Sequence, residues 1–368
     1  MRPFSMLGDG ILADDSLGHT EAFSAFRRSA AELLEGRYKP GSLGLDPIAY
    51  RAAAMAALAS PNDITNADAT AFFRTHFTVL NLRPESESPR KRGFVTGYYE
   101  PEVEAAAAPT NEYRTPLYRK PADLVKVDSV NRPPGMDESF RFARRLPSGL
   151  LEEYADRPAI ERGALRGHGL EIAWLKSPVD AFFIHVQGSA RLRMTDGTVK
   201  RVGYAAKTGH PFTAIGKVLV DSGELSLAEA DMAGIRGWLE RHPDRLRWLF
   251  DHNRSFIFFA EHSLIDERLG PVGAAKVPLT PLASIAVDRE RATYGVPYLI
   301  DAPDLAIDGT PYRRIAVAQD TGSAIIGNAR ADIFLGSGDA AGDIAGRVRH
   351  AADFAVLVPR SLAAKLIQ

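Results

Sequence analysis

Apolar positions recur three and four apart near the start of the chain. Phe23, Phe26, Ala30, Leu33 and Leu34 fall on one face of a helix that begins near His19. A second helix is expected from Asp46-Pro47, a helix-start signal, and a third from Asn66 through Phe72, Phe73 and Phe77. The phenylalanine stripe reads as core packing of a helical wrap, not as a cofactor site. Residues 81–92, with Pro84, Pro89 and mixed charges, read as a surface connector. The period then changes: Phe94-Val95-Thr96-Gly97-Tyr98-Tyr99-Glu100-Pro101 predicts a strand that a proline ends.

Residues 116–150 are polar, contain prolines and lack periodicity, which predicts a long loop or insertion. Phe182, Ile184 and Val186 alternate with Phe183, His185 and Gln187, so a strand is expected there. Gln187-Gly188-Ser189 would end it with hydrogen-bonding groups and a glycine that lets a ligand come close. Thr195-Asp196-Gly197-Thr198 predicts a hairpin turn into a strand from Val199 to Tyr204. Helical spacing returns at 213–220 and 227–250, and Ser255 to Phe259 reads as a buried strand. From there to Pro359 the chain is short apolar runs punctuated by glycine and proline, the pattern of a barrel, and 361–368 suits a surface helix.

Residues 315–338 concentrate the candidate chemistry. Asp320 ends one apolar run and Asp332 opens another, with Thr321-Gly322-Ser323 between them, and Asp288 repeats the strand-then-aspartate pattern upstream. Any one aspartate at a strand end also suits a turn, because its carboxylate accepts bonds from nearby N–H groups. Asp320-Thr-Gly resembles an aspartic-protease loop, and Asp221-Ser-Gly offers a second copy. That reading is weakened by the helical pattern around Asp221. Tyr98 and Tyr99 beside Glu100 suit carbohydrate, whose rings stack on aromatic faces while hydroxyls pair with acids. His185 and His210 have no partner at metal-ligand spacing.

With 368 residues the chain suggests two domains. Its 45 Lys and Arg against 46 Asp and Glu give a net charge of -1, which argues against a nucleic-acid partner. It contains no cysteine, so disulfides, thiolate metal sites and a cysteine nucleophile are excluded. No apolar run reaches the roughly 18 residues of a membrane span, and the N-terminus lacks a leader's apolar core.

Together, Thr96-Gly-Tyr-Tyr-Glu-Pro101, Val186-Gln-Gly-Ser189, Tyr204-Ala-Ala-Lys-Thr-Gly-His210, Ile215-Gly-Lys-Val-Leu-Val220, Asn253-Arg-Ser-Phe-Ile-Phe-Phe259, Val277-Pro-Leu279 and the three-aspartate region follow one another in a known order. The chain resembles the membrane-bound lytic murein transglycosylases of type A. The resemblance implies a mainly β protein: a double-psi β-barrel domain plus a second, inserted β-barrel, with a groove between them. Residues 1–95 would be a helical part joining the double-psi barrel, 96–245 the inserted glycan-binding barrel, and 246–368 the C-terminal three-aspartate part. It also implies cleavage of the β-1,4 bond between N-acetylmuramic acid and N-acetylglucosamine in peptidoglycan, leaving 1,6-anhydromuramoyl ends. Carried over by position, Asp332 is the catalytic acid/base and Asp320 its companion. Tyr99, Glu100, Gln187, Gly188, Ser189, Asp288, Thr321 and Gly322 are expected to bind substrate. Ile326 stands where the family often has a basic residue, and Ala331 where it often has an aromatic one. No metal or cofactor is expected. The expected setting is a monomer acting on glycan strands in the periplasm or at the outer membrane, with membrane association through a removed leader or anchor. The same barrel resembles expansin-like wall-loosening proteins, so a non-catalytic glycan-binding role is the alternative.

Overall fold

The computed structural model describes residues 3–85, 91–264 and 266–367. Positions 86–90 of the expected connector therefore lie outside the described residues. The chain folds as two compact units, Met1–Tyr99 with Asp266–Gln368, and Glu100–Ile265.

The first unit starts with strand β1 (Phe4–Met6) and three helices, His19–Leu34, Arg51–Ala59 and Asn66–His76. Each expected helix is present, and the second and third have a side-chain start signal. Asp46 accepts from the Ile48 N–H at 2.9 Å to open the turn that leads into the second helix. Thr65 and Asp68 form a reciprocal capping box on the third. The phenylalanines pack on one another, with the Phe23 and Phe72 rings edge to face at 4.9 Å. Strands β2 (Thr78–Leu82) and β3 (Gly93–Glu100) follow.

The second unit then contributes β4 (Glu102–Ala106), β5 (Thr115–Tyr118), β6 (Leu124–Lys126), β7 (Phe142–Arg145), β8 (Leu151–Glu152), β9 (Glu171–Leu175), β10 (Ser189–Met194), β11 (Val199–Lys207) and β12 (Ile257–His262). Six of these form one sheet in the order β12-β11-β10-β4-β9-β5. A bridge from Arg119 to Phe259 returns its last strand toward its first. Leu117, Ile172, Ile184, Leu192, Val202 and Phe259 fill its core. Because β12 pairs with β11 along its length, the chain up to Ile265 belongs to this unit, whereas the expected division fell at 246.

Two expectations fail here. Residues 116–150 are not one continuous loop: β5 joins the main sheet, and β6 and β7 form a small sheet with β8, while 127–141 and 146–150 are irregular. Strands this short carry no readable period. Residues 178–187 form a helix, not a strand. Ser177 accepts from the Asp180 N–H at 3.1 Å, Pro178 fits the first turn, and Gly188 ends the helix at φ 81. Phe182, Phe183, Ile184 and His185 are all buried, so the apparent alternation marked no exposed face.

The chain re-enters the first unit with β13 (Ser284–Val287), β14 (Pro297–Ile307), β15 (Thr310–Asp320), β16 (Arg330–Ser337) and β17 (Arg349–Val358), and a last helix, Arg360–Ile367. The ring β17-β14-β15-β13-β16-β3 closes through pairing of β17 with β3. A closed six-stranded barrel has no free edge. Strand β13 runs parallel to β15 and antiparallel to β16, so the two strands carrying the later aspartates flank it. Buried Gln319 donates to the Ala25 carbonyl at 2.7 Å and to Ser29 at 2.8 Å, which ties the end of β15 to the first helix.

Candidate active site

Ala286 on β13 pairs with Asp320 on one side and with Asp332 on the other. Residues in register project from the same face, so both carboxylates share one side of the barrel wall, with backbones roughly 10 Å apart across two strand spacings. Strand β3 supplies the rest of that side. The Tyr98 hydroxyl donates to Asp320 Oδ2 at 3.1 Å, and its ring lies 5.3 Å from that of Phe334, two residues beyond Asp332. Arg330, two residues before Asp332, donates to Thr96 Oγ1 at 2.7 Å and lies over the Phe94 ring.

The three aspartates differ in how their oxygens are used. Asp288 is buried, accepts from the Glu290 and Gly327 N–H groups and pairs with Arg291. Arg291 also reaches Glu85, which accepts from the Asn328 N–H, so this cluster fixes residues 327–328 between β15 and β16. Asp320 accepts from the Ala274 N–H on Oδ1 at 3.0 Å and from Tyr98 on Oδ2. Asp332 is touched only on Oδ1, by both terminal nitrogens of Arg330 at 3.4 Å. Its Oδ2 makes no hydrogen bond among the described residues.

Burial pushes the Asp320 carboxyl up, its backbone and tyrosine hydrogen bonds oppose this, and the Asp332 charge adds to the rise. Burial also pushes Asp332 up, and the Arg330 guanidinium opposes it. The rise at Asp332 thus comes from burial. Burial, reinforced by the two aspartates, lifts the Tyr98 phenol well above its usual range, so it stays a neutral donor.

Other expected site residues have different surroundings. Tyr99 points away from the aspartates and is buried against Gly342, where an added Cβ would lie 2.8 Å from the tyrosine ring. Strand alternation gives the site to Tyr98 instead, and the Thr96–Tyr98 spacing was the signal for it. Glu100 is fully buried: Arg201 approaches both of its oxygens at 2.8 and 2.9 Å, and Arg191 adds a contact at 2.9 Å. It serves the inserted sheet and is not offered to a ligand. Thr321 donates to the Val287 carbonyl at 2.7 Å, which holds the turn after Asp320, and Gly322 continues that turn half-exposed. Gln187 and Gly188 are half-buried at the end of their helix, and Ser189 is buried at the start of β10, all in the inserted unit. Asp221 ends a helix and pairs with Lys217, so it does not repeat the strand-borne setting of Asp320. Among the described residues no group of three or more His, Asp or Glu is placed to hold a metal ion.

Residues 94–260 match the model of the MltA specific insert domain, and residues 283–358 that of the 3D domain. A crystal structure of a membrane-bound lytic murein transglycosylase from Agrobacterium tumefaciens is 42% identical. It superposes with a TM-score of 0.88 over 99% of this chain and 99% of that one. This chain belongs to the membrane-bound lytic murein transglycosylase A family. The family member from Escherichia coli K12 is 34% identical over 261 residues, which make up 69% of this chain and 62% of that protein. The crystal structure of Escherichia coli MltA with bound chitohexaose aligns with 97% of this chain and 95% of that one, at 27% identity and a TM-score of 0.66.

Proposed function

We propose that this protein is a lytic transglycosylase that cuts the β-1,4 bond between N-acetylmuramic acid and N-acetylglucosamine, with Asp332 as its only acid/base. The observation that carries the role assignment is the uncommitted Oδ2 of Asp332. Both oxygens of Asp288 and of Asp320 already accept hydrogen bonds. Burial favours the protonated form of Asp332 that the first step needs.

In that step Asp332 gives its proton to the glycosidic oxygen as the C1–O4 bond breaks, and the N-acetylglucosamine end departs as an alcohol. The carboxylate then takes the proton of the muramoyl C6 hydroxyl as O6 bonds to C1. Hydrolases need a second carboxylate to attack or to activate water. Here the nucleophile is part of the substrate, and such held groups reach effective molarities of about 10⁵–10⁸ M. One free carboxylate therefore suffices. Asp320, a fixed acceptor held by Tyr98 and Ala274, supplies negative potential where the sugar ring becomes cationic.

The name of the Agrobacterium structure and the chitohexaose bound by Escherichia coli MltA support a glycan-strand substrate. We place the action at the cell envelope, by a monomer; among the described residues no helix is long and apolar enough to cross a membrane. Gln187, Gly188, Thr321 and Gly322 are assigned to glycan contact on their partial exposure. Digestion of purified sacculi tests the reading by mass spectrometry: soluble fragments ending in 1,6-anhydromuramic acid are expected. Reducing muramic acid ends would overturn it in favour of a hydrolase, and no release at all would overturn it and leave the wall-loosening alternative.

A further inference from the structure

We propose that Arg330 is a positioning residue that reserves Asp332 Oδ1 and leaves Oδ2 as the oxygen that exchanges protons with the sugar, so that Arg330 sets the upper pH limit of the reaction. This rests on the assignment of Asp332 as acid/base. The guanidinium is itself held in place: one terminal nitrogen donates to Thr96 Oγ1 on β3, another donates to the Ala331 carbonyl, and the plane lies over Phe94. Arg330 and Asp332 are 15% and 22% exposed, so little water screens the charge. A side chain anchored three ways presents a fixed cation, not one that swings out with each substrate.

The groups facing Asp332 can be named from every strand around it. Its own strand supplies Arg330, β3 supplies Tyr98, and β15 supplies Asp320; β13 contributes only Ala286, which has no charge. Tyr98 stays neutral, which leaves one cation and one anion acting on the carboxyl. Among the described residues Arg330 alone bonds to it. Its contacts of 3.4 Å are long for charge-assisted hydrogen bonds, enough to orient the carboxylate without keeping it ionised. The same contacts exclude Oδ1 from the substrate, because a guanidinium has no acceptor and blocks that side.

The test is the pH dependence of kcat/KM for release of soluble fragments from purified sacculi. In wild type the alkaline limb reports loss of the Asp332 proton. Arg330→Gln removes the cation, so the limb should move to higher pH, and the ratio of variant to wild-type activity should climb severalfold from the acid to the alkaline side. Arg330→Lys keeps the charge and should leave the limb near its wild-type position, even if the rate falls. If Arg330→Gln does not fold, Thr96→Val frees one arm of the fork and should move the limb the same way by less. An unmoved limb in whichever of these two variants folds overturns the proposal, however large the loss of rate. Failure of the underlying assignment reads differently: Asp332→Asn would then keep its activity whatever Arg330 does.

Discussion

Two carboxylates, one in each unit, meet arginine in different ways. Glu100, in the inserted unit, has both oxygens occupied by two arginines at 2.8–2.9 Å. Asp332, in the three-aspartate unit, has one arginine at 3.4 Å on one oxygen and, among the described residues, no hydrogen bond on the other. Saturation on that scale makes a carboxylate part of the scaffold, because removing it strands two cations in a medium of low dielectric. Partial satisfaction leaves a group that can still accept and release a proton. The contrast lies in how many oxygens are committed, and it runs with exposure: Glu100 is fully buried, whereas the Asp332 side chain is 22% exposed.

The strongest way to break this comparison is Asp332→Asn. Sacculus digestion should fall by about 10²–10⁴-fold or more, while circular dichroism stays unchanged. The sign of its stability effect follows from burial. The folded carboxyl is pushed above its ordinary 3.8, so the protonated form is the one folding favours, and ionisation in the folded state is destabilising. The variant should therefore have a higher Tm than wild type at neutral pH, and the difference should shrink as pH falls toward the ordinary value. A lower Tm at neutral pH would mean that Asp332 is a structural anion after all.

Glu100→Ala sharpens the opposite side. It should cost about 3–5 kcal/mol in denaturant unfolding, because Arg191 and Arg201 lose their shared counter-charge. A loss under 1 kcal/mol would place Glu100 outside the scaffold role. The smallest expected effect is that of Tyr98→Phe. It keeps the ring against Phe334 and deletes the bond to Asp320, so kcat should fall roughly tenfold, the scale of one hydrogen bond to a charged group. Tm should change little. Unchanged kcat would show that Asp320 does not need Tyr98 to hold its orientation.

Much of the fold was legible in the residues. The three N-terminal helices followed from phenylalanine spacing and from Asp46-Pro47 as a start signal, because those signals act within a few residues. The hairpin at Asp196-Gly197 and the helix at Met232–Arg241 were read for the same reason. The helix at Pro178–Gln187 was missed, although its serine cap and proline start were present, because its five consecutive buried residues, 181–185, carry no readable period. Residues 142–145, in β7, are held by pairing with β6 and β8, which no local pattern announces.

At the site, the sequence by itself determined that three aspartates accompany short strands, that no cysteine chemistry is available, and which motifs stand in which order. It did not decide which tyrosine faces the carboxylates. Tyr98 and Tyr99 are adjacent, and only the register of β3 beside β16 turns one toward Asp320 and the other toward Gly342. Nor did it decide the fate of the three carboxyls. Hydrogen bonds that span long stretches of chain, from Tyr98 to Asp320 and from Arg330 to Thr96, depend on barrel closure. Local propensity is written in neighbouring residues, whereas the protonation chemistry of a carboxyl is set by whichever distant groups folding brings against it.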